Sequence, residues 1–153
     1  MTLRVLIVGY GNTLRGDDGF GVIAAQRLAQ MLRGVDVIDA HQLLPEMAHT
    51  ISQYDYVFFV DAAAAGVPGT FAYSRLEPVV EDEAAFSHNV TPARLLLAAR
   101  TLYGHQPEAE LCMVAAASFE FSEELTPVVS QAVPLVVAYV VGRIKSLNAV
   151  AGK

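Results

Sequence analysis

The stretch VLIVGYGNTLRGDDGFG, Val5 to Gly21, decides the fold. Leu3 to Val8 is an unbroken β-branched and aliphatic run ended by Gly9, the pattern of a central strand covered on both faces. A glycine-rich turn with two adjacent carboxylates follows, and from Gly19 to Leu32 the residues Val22, Ile23, Leu28, Met31 and Leu32 fall near helical spacing. Strand, glycine turn and helix in that order open a parallel α/β sheet. The turn is not a dinucleotide fingerprint, because Gly9 and Gly11 fit but Leu14 stands where the third glycine belongs. Asp39 does stand where a ribose-binding acid is expected, which keeps one supporting feature for a nucleotide. Against it, Asp17 and Asp18 would repel a pyrophosphate at the helix N-terminus. No Gly-Lys-Ser or Gly-Lys-Thr of a Walker loop is present. On this stretch alone, the plain reading is that the Asp pair caps the helix and complements its dipole.

Outward from this stretch, Val35 to Asp39 reads as a short strand, Pro45 to Gln53 as a short helix and Tyr56 to Val60 as a strand stopping at Asp61. Gly69 to Leu76 alternates like an edge or antiparallel strand, and Pro78 to Asn89 is polar and acidic enough for a loop. Thr91 and Pro92 supply the cap and first position of a helix reaching Tyr103 before Gly104. Leu111 to Ala117 forms the last strand, and Thr126 to Leu147 the last helix, with a kink expected at Pro134. The alternation predicts a three-layer α/β/α sandwich on a mostly parallel sheet, with right-handed early crossovers.

At 153 residues with 54% apolar content, the chain fits a single domain, residues 1–153, with a sizeable core. Ten Lys and Arg against sixteen Asp and Glu leave a net charge of -6, which argues against nucleic acid and an anionic membrane surface as partners. The N-terminus lacks a signal-peptide pattern and Ala132 to Gly142 is too short an apolar stretch to span a bilayer, so a cytoplasmic protein without membrane insertion is expected. The lone Cys112 sits mid-strand among apolar residues and reads as a small buried hydrophobe.

Ligands in an open α/β sheet gather outside the carboxyl ends of strands, where strand order reverses. Asp18 and Asp61 both belong to that rim, and the loop carrying His88 can reach it. Two carboxylates and an imidazole are a plausible three-ligand set for a borderline divalent metal, with positions left open. Glu46 and His49 make one Glu-x-x-His pair, where a di-iron site needs two, and read as the polar side of their helix. His41 follows Asp39 at the end of the second strand and so shares the rim, whereas His105 reads as a solvent-exposed turn residue.

The segments GYGNTLRGDDGFG, VFFVDA, SHNVTPARLL and LTPVVSQAV, in that order and over nearly the whole chain, resemble the hydrogenase maturation endopeptidases. The resemblance implies a twisted five-stranded α/β/α sandwich with one antiparallel strand. It implies an endopeptidase that clips a C-terminal extension from the precursor of a [NiFe] hydrogenase large subunit after nickel insertion. By the same resemblance the metal-contacting residues map to Asp18, Asp61 and His88, and Asp39 matches a further family acid, making these four the candidate catalytic residues. Some members carry Glu in place of Asp18, and HQLLPE after Asp39 and Ala40 departs from the glycine-rich version of some members. Nickel is then expected to arrive inside the substrate, with no tightly bound cofactor of the enzyme's own. Two routes to peptide attack stay open: a metal-activated water, or a carboxylate such as Asp39 or Asp17 acting as general base. A noncatalytic nickel-binding maturation factor and a nucleotide-binding α/β enzyme are the rival readings.

Overall fold

In a computed structural model, which describes residues 3–77 and 90–152, the chain runs through β1 (Val5–Tyr10), a 3-10 turn (Gly16–Gly19), α1 (Phe20–Met31), β2 (Asp36–Ala40) and α2 (Met47–Ile51). It continues through β3 (Tyr56–Ala63), β4 (Phe71–Arg75), α3 (Pro92–Tyr103), β5 (Glu108–Ala115), α4 (Pro127–Ser130) and α5 (Val133–Ala151). The five strands lie in the order β2-β1-β3-β5-β4, all parallel except β4, which pairs antiparallel with β5. This is the expected mixed sheet. The loop expected at residues 78–89, with His88, lies outside the described residues.

Alternate residues of β1 serve two separate cores, as the two-residue period of a strand requires. Val5 and Ile7 join Phe20, Leu28, Val136 and Val140 on one face; Leu6 and Val8 join Ile51, Leu95 and Leu96 on the other. Burial on both faces explains why the strand carries no polar alternation. It also requires helices close to the sheet, and two glycines make that possible at α1. A Cβ on Gly21 would stand 2.2 Å from the Val60 carbonyl oxygen, and one on Gly9 would stand 2.1 Å from that of Gly21. The close packing that a dinucleotide fold takes from its third glycine thus comes from the helix residue Gly21, which leaves Leu14 free to be exposed.

At the other end of the chain, α4 and α5 are separated at Gln131 and Ala132, and Pro134 lies in the first turn of α5. The expected kink is therefore a break before the proline, at a position where its missing N–H costs nothing. The run from Pro127 to Ala151 is 25 residues with a best-window mean hydropathy of 1.5, long and apolar enough to cross a membrane, unlike the shorter stretch read from sequence. Its inward positions, Val129, Val133, Val136, Val137, Val140 and Ile144, are buried in the core shared with α1.

Near the amino ends of the strands, the buried Glu110 accepts hydrogen bonds from Tyr56, Tyr139 and Arg143, the last an ion pair at 3.0 Å. A buried carboxylate is tolerable only with such partners. Two residues along β5, Cys112 is fully buried, and burial followed by the Glu110 charge pushes its thiol up to about 12, as befits an inert core residue.

Candidate active site

The strand order reverses between β1 and β3, because the chain moves from β1 outward to β2 and then back across to β3. Gly9 pairs with Val60, so Tyr10 and Asp61 stand one step further along neighbouring parallel strands. Alternation puts both on the face shared with α2 and α3. Strand β3 continues to Ala63, so Asp61 lies within the strand and not after it. There it lines a cleft of ≈ 470 Å³ with Tyr10, Gly11, Asp18, His41, Gln42, Leu43, Leu44, Pro45 and Val90.

The loop between β1 and α1 is shaped to deliver Asp18. Gly11 takes φ 145°, and a Cβ there would stand 1.8 Å from the Asp18 carbonyl oxygen. The Asn12 N–H donates to Asp18 Oδ2 at 2.7 Å, while Asn12 Oδ1 accepts from the Leu14 N–H at 2.9 Å. Together these fix the carboxylate by backbone contacts and an Asx turn. Asp18 Oδ1 has no partner among the described residues.

Asp17 departs from the plain capping reading. The acid pair lies in the 3-10 turn, and the N-cap of α1 is Gly19, with no side-chain capping bond. Asp17 is fully buried and accepts hydrogen bonds from the backbone N–H groups of Ala117, Ser118 and Thr126 and from the Thr126 hydroxyl. Burial opposes its ionisation, but these hydrogen bonds outweigh that and hold the carboxyl below its usual range. It ties the segment after β5 to the loop after β1, and faces away from the cleft as a structural anchor.

Asp61 is set apart electrostatically. Burial pushes its carboxyl from 3.8 up to about 6, against the hydrogen bonds it accepts from its neighbour Ala62 and from Tyr10, and the Asp18 charge adds to the rise. Burial and the Asp61 charge together raise the Tyr10 phenol, keeping it a donor. A partly buried carboxylate crowded by another is a group that gains from a cation.

Of the residues singled out from sequence, Asp18, Asp61 and His41 thus meet in one cleft. Asp39 does not line it: the residue is exposed, pairs across from Gly9 and reaches Gln26 of α1 at 3.4 Å, on the opposite face of the sheet. His49 is occupied by Gln53 at 3.2 Å and by the Tyr103 ring, and His105 by the Tyr54 carbonyl at 2.9 Å. His88 lies outside the described residues, among which no group of three His, Cys, Asp or Glu side chains is close enough to hold a metal ion. Tyr10 and the 42–45 wall are contributions that the motif reading passed over. The alternation Leu6, Val8, Tyr10 signals the tyrosine once β1 is carried two residues past Val8.

An α/β/α enzyme frame, with carboxylates over its switch point in place of a phosphate loop, defines the class. Residues 22–143 match the family model of the hydrogenase maturation proteases, HycI. The solved structure of the hydrogenase maturating endopeptidase HybD from E. coli is similar over 94% of this chain and 93% of its own, with 26% identity and a TM-score of 0.77. A hydrogenase 2 maturation peptidase from a Thaumarchaeota archaeon is 32% identical over 93% of this chain and 98% of its own, with a TM-score of 0.71. The [NiFe] hydrogenase maturation protease HycI from Thermococcus kodakarensis KOD1 is 27% identical over 94% and 93%, with a TM-score of 0.72. Among curated proteins none matches the chain. The chain belongs to the hydrogenase maturation protease family and is a peptidase.

Proposed function

We propose that this peptidase removes the C-terminal extension from the precursor of a [NiFe] hydrogenase large subunit after nickel insertion, and that it reads the substrate-borne nickel through Asp18, Asp61 and His88. The observation that carries the reading is the convergence of Asp18, from the 3-10 turn after β1, and Asp61, from β3, on one open cleft at the switch point. The donor chemistry fits. Two carboxylates and an imidazole suit a borderline divalent ion and leave coordination positions open for further ligands. Nickel held by substrate thiolates would bring the remaining ligands, making docking conditional on insertion. The proposed setting is the cytoplasm, where no membrane partner is required.

The test is to strip the enzyme with chelator, remove the chelator, and incubate it with nickel-loaded and nickel-free large-subunit precursors, reading the products by mass. Cleavage of the loaded precursor alone is expected, with Asp18→Asn, Asp61→Asn and His88→Ala each inactive. Equal cleavage of both precursors, or activity regained only when zinc is returned, would overturn the reading. Stable nickel binding without cleavage would instead mark a metal-delivery factor.

A further inference from the structure

His41 differs from the other described histidines. His49 and His105 have their ring nitrogens engaged, as above, whereas His41 is exposed, lines the cleft and has no hydrogen-bond partner among the described residues. Its place is fixed from both sides. The Ala40 carbonyl accepts from the Gly11 N–H at 3.0 Å, tying the preceding residue to the loop that holds Asp18. Two residues on, Leu43 is buried in the α2 and α3 core.

The cleft is lined by residues from two different parts of the chain. Asp18, Asp61 and Tyr10, hydrogen-bonded to Asp61, come from the loop after β1 and from β3 and β1, whereas His41, Gln42, Leu44 and Pro45 come from the segment after β2. Among the described residues His41 does not complete a metal-holding group with the two acids. An imidazole that stands in the same cleft, apart from the acids and with free nitrogens, is suited to proton transfer at the peptide bond. The other acids considered for that task are poorly placed, because Asp17 is consumed by its own hydrogen bonds and Asp39 lies on the far face.

We propose that His41 is the acid/base residue of the hydrolysis, an inference that rests on the peptidase reading and not on how nickel is recognised. The oxygen of a water molecule bonds to the scissile carbonyl carbon as one water proton passes to His41, and the carbonyl π pair moves onto its oxygen. On collapse the C–N bond breaks, its electron pair stays on nitrogen, and His41 returns the proton to that nitrogen. The products are a new carboxyl terminus and a free amine.

The experiment compares wild type, His41→Ala, His41→Gln and Asp18→Asn in single-turnover cleavage of nickel-loaded precursor, with binding of precursor measured in parallel. Both His41 variants are expected to melt like wild type and bind precursor within about two-fold of it, but to cleave about 10²–10³-fold more slowly. Added imidazole is expected to restore rate to His41→Ala by at least about ten-fold, and not to Asp18→Asn. A His41→Ala rate near that of wild type, a loss of binding that accounts for the loss of rate, or no response to imidazole would overturn the inference. Wild-type cleavage of nickel-free precursor in the same series would overturn the nickel reading alone.

Discussion

Asp17 and Asp18 are adjacent in the chain and enter different surroundings, Asp17 a nest of donors at residues 117, 118 and 126 and Asp18 the cleft. The 3-10 turn between Gly16 and Gly19 makes this possible, because successive side chains there point about 120° apart. One carboxylate braces the loop from which the other reaches the cleft.

Removing the brace is expected to unfold the protein more than to inactivate it. Asp17→Ala leaves the N–H groups of Ala117, Ser118 and Thr126 without their acceptor, at a cost of about 3 kcal/mol, readable by urea denaturation. The folded carboxyl is held below its unfolded value, so its ionisation stabilises the protein fully above about pH 4. That contribution is lost as pH falls through the folded value. Wild type should therefore lose stability in acid more steeply than Asp17→Asn, and parallel acid titrations would refute the assignment.

Asp61 carries the opposite sign. Its folded carboxyl at about 6 lies above its ordinary 3.8, so between these values the folded protein keeps a proton that the unfolded chain releases. Stability falls as pH rises through that window and stays lower above it. Asp61→Asn is expected to raise stability at pH 8 by about 1–2 kcal/mol, with the difference vanishing below about pH 4, while abolishing cleavage. An Asn variant that is less stable at pH 8 would contradict this.

Gly21 tests the packing of α1 on the sheet. The Cβ of Gly21→Ala would press on backbone oxygens of Val60 and Tyr10, which cannot swing aside as a side chain can. A loss of about 3 kcal/mol or more is expected in denaturant, against little effect at Gly142, where added Cβ meets open space. Similar losses at both positions would place the cost in something other than this contact.

What was legible in the sequence is what local chemistry specifies. Thr91 accepts from the Arg94 N–H, Pro92 opens α3 and Gly104 ends it with φ 75°, all readable from residue type. The buried runs of β1 and β3 declared a sheet covered on both faces. What stayed hidden depends on which face a strand presents. Asp39 belongs to the right end of the sheet, but its pairing across from Gly9 turns it toward α1, and Tyr10 was missed because β1 runs two residues beyond Val8. Pro134 did signal an interruption of the last helix, but local signals placed it as a kink at the proline, whereas the chain breaks at Gln131 and Ala132 and the proline lies in the first turn of α5.

Tyr10 offers the sharpest test of the cleft electrostatics. Its hydroxyl hydrogen-bonds Asp61 and lowers that carboxyl, while the charge of Asp18 raises it. The two influences should separate by substitution. Tyr10→Phe keeps the ring and removes the donor, so the Asp61 carboxyl should titrate above its wild-type midpoint of about 6. Asp18→Asn removes a neighbouring negative charge, so the same group should titrate below that midpoint. NMR of the Asp61 carboxyl carbon across acid pH reads both directly, in the free enzyme and without substrate. If Asp61 is a functional ligand, the Tyr10→Phe enzyme should also lose cleavage on its acid side at a higher pH than wild type and approach the wild-type rate in alkali, where Asp61 is ionised in both. Shifts of the same sign in the two variants would mean that Asp61 does not sit between a phenol donor and a like charge, and the arrangement of the cleft would have to be redrawn.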